Sequence, residues 1–256
     1  MFLRRIVQSL KTQNWTAIGL ELLIVIIGVF IGTQVSNWNQ DRNERRETAR
    51  LLQELQPALT SFTDFFAAAK VYYATTRAYS DQAFAGWRGD PKVSDQQFVI
   101  AAYQASQIYT LGLKGETWTS IFGGERLREI DNADVRRDLT TLMTVSYDQI
   151  DAGIIGTSYR EDVRKIIPED IQDAIRAHCS DQPVPKRPPT VRLPATCDLA
   201  LPAARFAAAA AALRARPELV GELRWHRAAV ESFMGDYATI DQLVRQLQRN
   251  IGAPAG

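Results

Sequence analysis

Residues 17–35 read AIGLELLIVIIGVFIGTQV, and the reading of this stretch sets the architecture of the whole chain. Coiled as an α-helix, its nineteen residues rise about 28 Å, close to the hydrocarbon thickness of a bilayer. A backbone in lipid must satisfy its own amides, so a helix is the only single-pass conformation despite the β-branched Ile and Val content. Trp15 precedes the run and Trp38 follows it, so each end carries an amphipathic ring suited to the headgroup zone. No other stretch approaches this apolar length. A transmembrane helix is therefore expected over 15–38, behind a short N-terminal tail at 1–14.

A secretory signal peptide is the competing reading, with Arg4, Arg5 and Lys11 as its basic end and Leu22–Gly32 as its apolar core. The following residues, TQVSNW at 33–38, offer no small-x-small cleavage pattern, and helical periodicity runs on past Asn39. An uncleaved anchor is expected. Three Lys/Arg precede the span, and Arg42, Arg45, Arg46 and Arg50 follow it, so the positive-inside count does not set the orientation. Keeping the arginine-bearing tail in the cytoplasm is the commoner route, and the cysteines suit an oxidising outside. The expected topology is N-terminus in, C-terminal domain out.

Within the span, Ala17, Glu21, Ile24, Gly28, Gly32 and Val35 fall on one stripe at 100° per residue. Gly28 and Gly32 form a small-xxx-small spacing that lets helix backbones approach closely, a candidate contact for a second copy or a membrane partner. Against that, Glu21 lies only about 9 Å along the axis from Trp15 and can snorkel to the interface, with the glycines incidental.

The rest of the chain is expected to be helical and extramembrane. The whole chain of 256 residues, 46% apolar and 23% charged, is ample for a core. A balance of 30 Lys+Arg against 29 Asp+Glu leaves +1, which argues against a nucleic-acid partner. From Leu51 to Tyr79 apolar residues recur with helical spacing, and Pro57 inside the run predicts a kink because the same face resumes beyond it. Gly86 to Pro91 breaks the pattern, and Ser94 with Gln97 forms a capping box for the next helix. Asp131 or Asn132 caps a further one through Ile150, continuing weakly to Val163. Pro168, Pro202 and Pro217 open three more, the second alanine-rich and the last striped by Leu219, Leu223, His226, Val230, Phe233, Tyr237, Val244 and Ile251. No two-residue alternation bounded by hairpin turns occurs. The fold class expected is all-α: one N-terminal transmembrane helix continuing into an antiparallel helical bundle over 39–256.

Cys179 and Cys197 bracket a proline-rich loop, part of a segment at 179–202 too stiff and polar to hold itself against a core. A cross-link between them would contribute about 3 kcal/mol by loop closure in the chain-entropy model. Two unrelated thiols are the alternative.

The run IGLELLIVIIGVFIGTQVSNWNQDRNER at 18–45, with TWTSIFGGERLREIDNADVRRDL at 117–139, resembles an uncharacterised bacterial family of single-pass membrane proteins defined only as a domain of unknown function. Its pattern pairs a membrane helix ending in Asn-Trp-Asn with a downstream Ser-Gly-x-Leu turn. The first element matches over 15–46; the second, over 116–140, departs through an inserted Glu125-Arg126 and through Val135-Arg136 in place of Leu-Arg. The resemblance implies a bacterial inner membrane with the domain in the periplasm, and no activity.

Catalytic signatures are missing: there is no phosphate loop, dinucleotide fingerprint, His-Glu-x-x-His or Gly-x-Ser-x-Gly. Of the two histidines, His226 lies on an apolar stripe and reads as a hydrogen-bonded core residue rather than a base. His178, read as lying in a loop beside Cys179 and Asp181, lacks two ligands for zinc. No cofactor and no metal are expected. The aromatics Phe65, Phe66, Tyr72, Tyr73, Tyr79 and Trp87 keep helical register and read as core. Charges from Glu125 to Asp138 read as a solvated face. The expected role is a non-enzymatic, membrane-anchored interaction domain, with lipid and a partner on the Gly28/Gly32 face. The alternative is a small-molecule sensor holding a ligand between helices near Tyr72, Tyr73 or His226.

Overall fold

Apolar residues on one helical face must be covered, and in the computed structural model the described amphipathic helices beyond the apolar run bury their apolar faces against one another. The structure describes residues 15–109, 121–147, 150, 156–185 and 190–252, leaving aside the side chains of 15–18, 124 and 125. Helix α1 spans Trp15–Glu54 and α2 spans Gln56–Trp87. Leu55 between them keeps helical dihedrals, and Pro57 stands in the first turn of α2. With no N–H at Pro57 one rung of the ladder is lost. The bonds from Leu55 N to Leu51 O and from Leu59 N to Leu55 O carry the axis across that gap.

Helix α3 spans Asp95–Gln104, and its Ser94/Gln97 capping box is formed on both sides. After a 3-10 turn at Gly124–Glu129 comes α4, Ala133–Thr144, where the Asn132 side chain accepts from the amides of Asp134 and Val135. Helices α5, Ser158–Ile166, and α6, Glu169–Cys179, follow, then α7, Ala203–Arg214, and α8, Glu218–Gly252. Pro168 and Pro202 sit at the N-cap positions of α6 and α7. Among the described residues the fold is all-α apart from a two-residue antiparallel pair, β1 at Gln182–Pro183 with β2 at Val191–Arg192.

The sequence reading is corrected at several points. The helix beginning at Ala133 does not continue to Val163: it stops at Thr144, and a new helix starts at Ser158 under a Thr157 cap. His178 belongs to the last turn of α6 rather than to a loop. The proline-rich segment does reach the core, since Leu193, Leu199 and Thr190 are buried. It is also pinned by the disulfide Cys179–Cys197, with Cα atoms 5.7 Å apart.

The core lies between α2, α3 and α8. On α2 the stripe from Leu59 through Phe62, Phe65, Phe66, Ala69, Tyr72, Tyr73 and Tyr79 to Ala83 is buried, and its rings pack edge-on or tilted, as Phe65 against Tyr237 at 5.6 Å. Every residue of α3 from Phe98 to Gln104 is buried. Close approach of α2 to α3 requires Gly86: a Cβ there would stand 2.1 Å from Phe98 Cδ2. The charged face around α4 has one exception, Asp138, which is 2% exposed and accepts from Arg137, Gln246 and Asn250. A buried carboxylate is tolerable only with such a set of donors.

Candidate ligand-binding cavity

The candidates along the apolar helix and those of the domain's interior separate cleanly. Along α1 the apolar window is wholly unburied, and this helix is long and apolar enough to cross a membrane by length and composition. Leu20, Ile24, Phe30 and Val35 are more than half exposed. Nothing lies within 4 Å of a Cβ built at Gly28 or Gly32, and Glu21 is exposed on the same face. Trp38 is exposed, with the Arg42 guanidinium 5.7 Å from its ring centre. Trp15 and Ala17 lie in the helix, but their side chains fall outside those described.

A cavity within the domain lies between α2 and α8. Arg77 pairs with Glu231, Arg227 with Asp81, and Gln248 with Thr60, so the two helices run in opposite directions. In that register Lys70 stands near Ala238 at the end closer to α1, and Ser80 stands near His226 at the far end. The space between them is about 350 Å³, at the lower end of the range of small-molecule sites. Its walls include Ala74, Val230, Met234 and Ala238, with Tyr73, Thr76 and Ser80 on the α2 side.

At the far end His226 is 2% exposed, and its Nδ1 is 2.7 Å from Thr157 Oγ1. That hydroxyl also accepts the Arg160 amide at 3.4 Å as the cap of α5. Among the described residues the hydroxyl hydrogen has no acceptor but Nδ1, which assigns the proton of the neutral ring to Nε2. Nε2 is buried without a hydrogen-bond partner among the described residues. Burial, reinforced by the nearby Arg160 and Arg164, pushes the imidazole down to about 4. His226 is therefore a neutral N–H donor near neutral pH, not a general base.

The cavity's mouth carries Lys70, Arg77, Arg227 and Glu231. Glu231 is shared by Arg77 and Arg227, and Arg227 also holds Asp81. Lys70, exposed, has no ion pair among the described residues. Searches against family models, curated proteins and solved structures return no match.

The other candidates fall into place around this cavity. Tyr72 does not line it; its hydroxyl donates to Asp181 at 2.9 Å, and burial followed by that carboxylate raises its pKa. Burial pushes Tyr79 up to about 12, and its hydroxyl donates to the Pro194 carbonyl. No cluster of His, Cys, Asp and Glu that could hold a metal occurs among the described residues. Sequence reasoning pointed to Tyr73 and His226 but missed Lys70 and Thr157. Lys70 could have been found from the α2/α8 register; Thr157 carries no local signal beyond its place as a cap.

Proposed function

We propose that the chain is anchored in a bacterial inner membrane by the helix at 15–38, with its N-terminus cytoplasmic, and that its helical domain works in the periplasm by binding rather than by catalysis. One observation carries this reading: the longest apolar run of the chain is the one left uncovered, while the apolar stripes of α2 and α8 are packed away. A soluble domain would not leave so continuous an apolar surface open to water. The resemblance of 18–45 to a single-pass family supports the same placement. Expected outcomes are retention of the full chain in membranes after an alkaline carbonate wash and a C-terminal fusion reporter active only outside the cytoplasm. Release by carbonate, or a reporter active in the cytoplasm, overturns the anchor or the orientation respectively.

In this reading the open Gly28/Gly32 face is where a second membrane helix would seat. A chain that stays monomeric after cross-linking in its membrane removes that part alone. A second reading, small-molecule sensing by the domain, is favoured by the apolar-walled cavity between α2 and α8 with Lys70 at its mouth.

A further inference from the structure

Taking the small-molecule reading as its basis, we propose that the slot between α2 and α8 binds an elongated amphiphilic carboxylate. The anionic head sits at Lys70, and the aliphatic body lies along Ala74, Val230 and Met234 with its apolar end toward His226.

The charges select the head. Arg77 and Arg227 are matched by Glu231 and Asp81, so the cation left over at the mouth is Lys70. A cationic ligand would meet an unmatched ammonium and no unmatched carboxylate. An anion closes the balance, and at an exposed site it does so without deep desolvation of either charge. The walls select the body, because Ala74, Val230 and Met234 offer apolar contact and no hydrogen-bonding side-chain group of their own. Length follows from the register. Lys70 and Ser80 are ten residues apart on one helix, about 15 Å of axis, so the slot suits a medium acyl chain rather than a compact ring.

The far end is closed rather than polar. His226 lines it, but its Nε2 is shut off from the slot, so a second carboxylate there would be buried without a countercharge or a donor, and an apolar chain end fits instead.

The test uses the full chain in nanodiscs of zwitterionic lipid and a diazirine analogue of decanoate, with labelling read on the tryptic peptide 228–245. Competitors are decanoate, decanol and decanedioate. Three results are expected. The peptide is labelled, and decanoate competes at a concentration at least tenfold lower than decanol. Lys70→Gln, an exposed change, removes that advantage, and Ala74→Trp, also at an exposed position, blocks the slot and abolishes labelling. Decanedioate, which would bury a second carboxylate at the far end, competes at least tenfold more weakly than decanoate. Decanol competing as well as decanoate would overturn the carboxylate while leaving a small-molecule slot in place. Equal labelling of 228–245 in Ala74→Trp would overturn the slot and the sensing reading with it.

Discussion

His226 illustrates how a single side chain ties stability to acidity. Unfolded, its imidazole titrates near the ordinary 6.5; folded, burial and then the fields of Arg160 and Arg164 hold it at about 4. Between those values the unfolded chain binds the proton and the folded chain does not, so stability falls as pH drops from about 6.5 to about 4 and levels off below. Its full contribution is present above 6.5. The size is on the order of 3 kcal/mol. Comparing melting temperatures of the reconstituted chain with those of His226→Phe across this window isolates the effect, since other carboxylates titrate equally in both. The wild type should lose more stability than the variant on going from pH 7 to pH 4. Parallel curves would mean that the folded imidazole titrates normally. The helical stripe that places His226 inside was legible in the sequence, but the loss of its second hydrogen bond was not, because that depends on which residues α2 and α5 bring against it.

At the scale of elements, helix starts were readable and helix ends were not. Ser94 and Asn132 cap as their chemistry dictates, and Pro168, Pro202 and Pro217 each stand just ahead of a helix. These signals are local, made by one side chain and the free amides beside it. The stop at Thr144 has no such marker, and apolar periodicity alone carried the expected helix too far. The β1/β2 pair was invisible for a related reason: two-residue strands have no alternation to read, and their pairing follows from the Cys179–Cys197 closure around them. Contacts between elements are equally hidden. Gly86 looked like a helix breaker, yet it lies inside α2 and its missing side chain admits Phe98. The Phe98 ring is fixed by Trp87 at 5.1 Å and by the Arg214 guanidinium at 5.0 Å, so it cannot yield to a methyl group. Gly86→Ala should therefore destabilise the domain by about 1–3 kcal/mol, despite the better helix propensity of alanine. Adding Phe98→Leu should recover part of the loss in thermal melts. An unchanged melting point for Gly86→Ala would show that α2 and α3 are not held this closely.

Across the whole molecule, the uncovered helix and the sulfur link answer to the same question of compartment. The long axis through α1 and α2 carries an apolar end that is nowhere buried and an opposite end packed into the domain, with the Arg45–Asp131 pair at the junction. If the domain lies outside the cytoplasm, as proposed, Cys179 and Cys197 meet oxidising conditions in which their link persists. That link closes a loop of 18 residues in sequence separation, ties the end of α6 to the segment carrying Leu193 and Leu199, and holds β2 against α2. Opening it should cost about 3 kcal/mol in the chain-entropy account, which for a domain of this size lowers the melting temperature by roughly 6–12 °C. In membranes from intact cells, a bulky maleimide should add no mass to the chain until a reductant is supplied, and two equivalents afterwards. Reduction should then lower the melting temperature by the stated amount, and Cys179→Ala with Cys197→Ala should reproduce that drop without reductant. Immediate labelling of both thiols in unreduced membranes would place the domain on the reducing side and remove the link with it, because the one chemical fact cannot hold without the other.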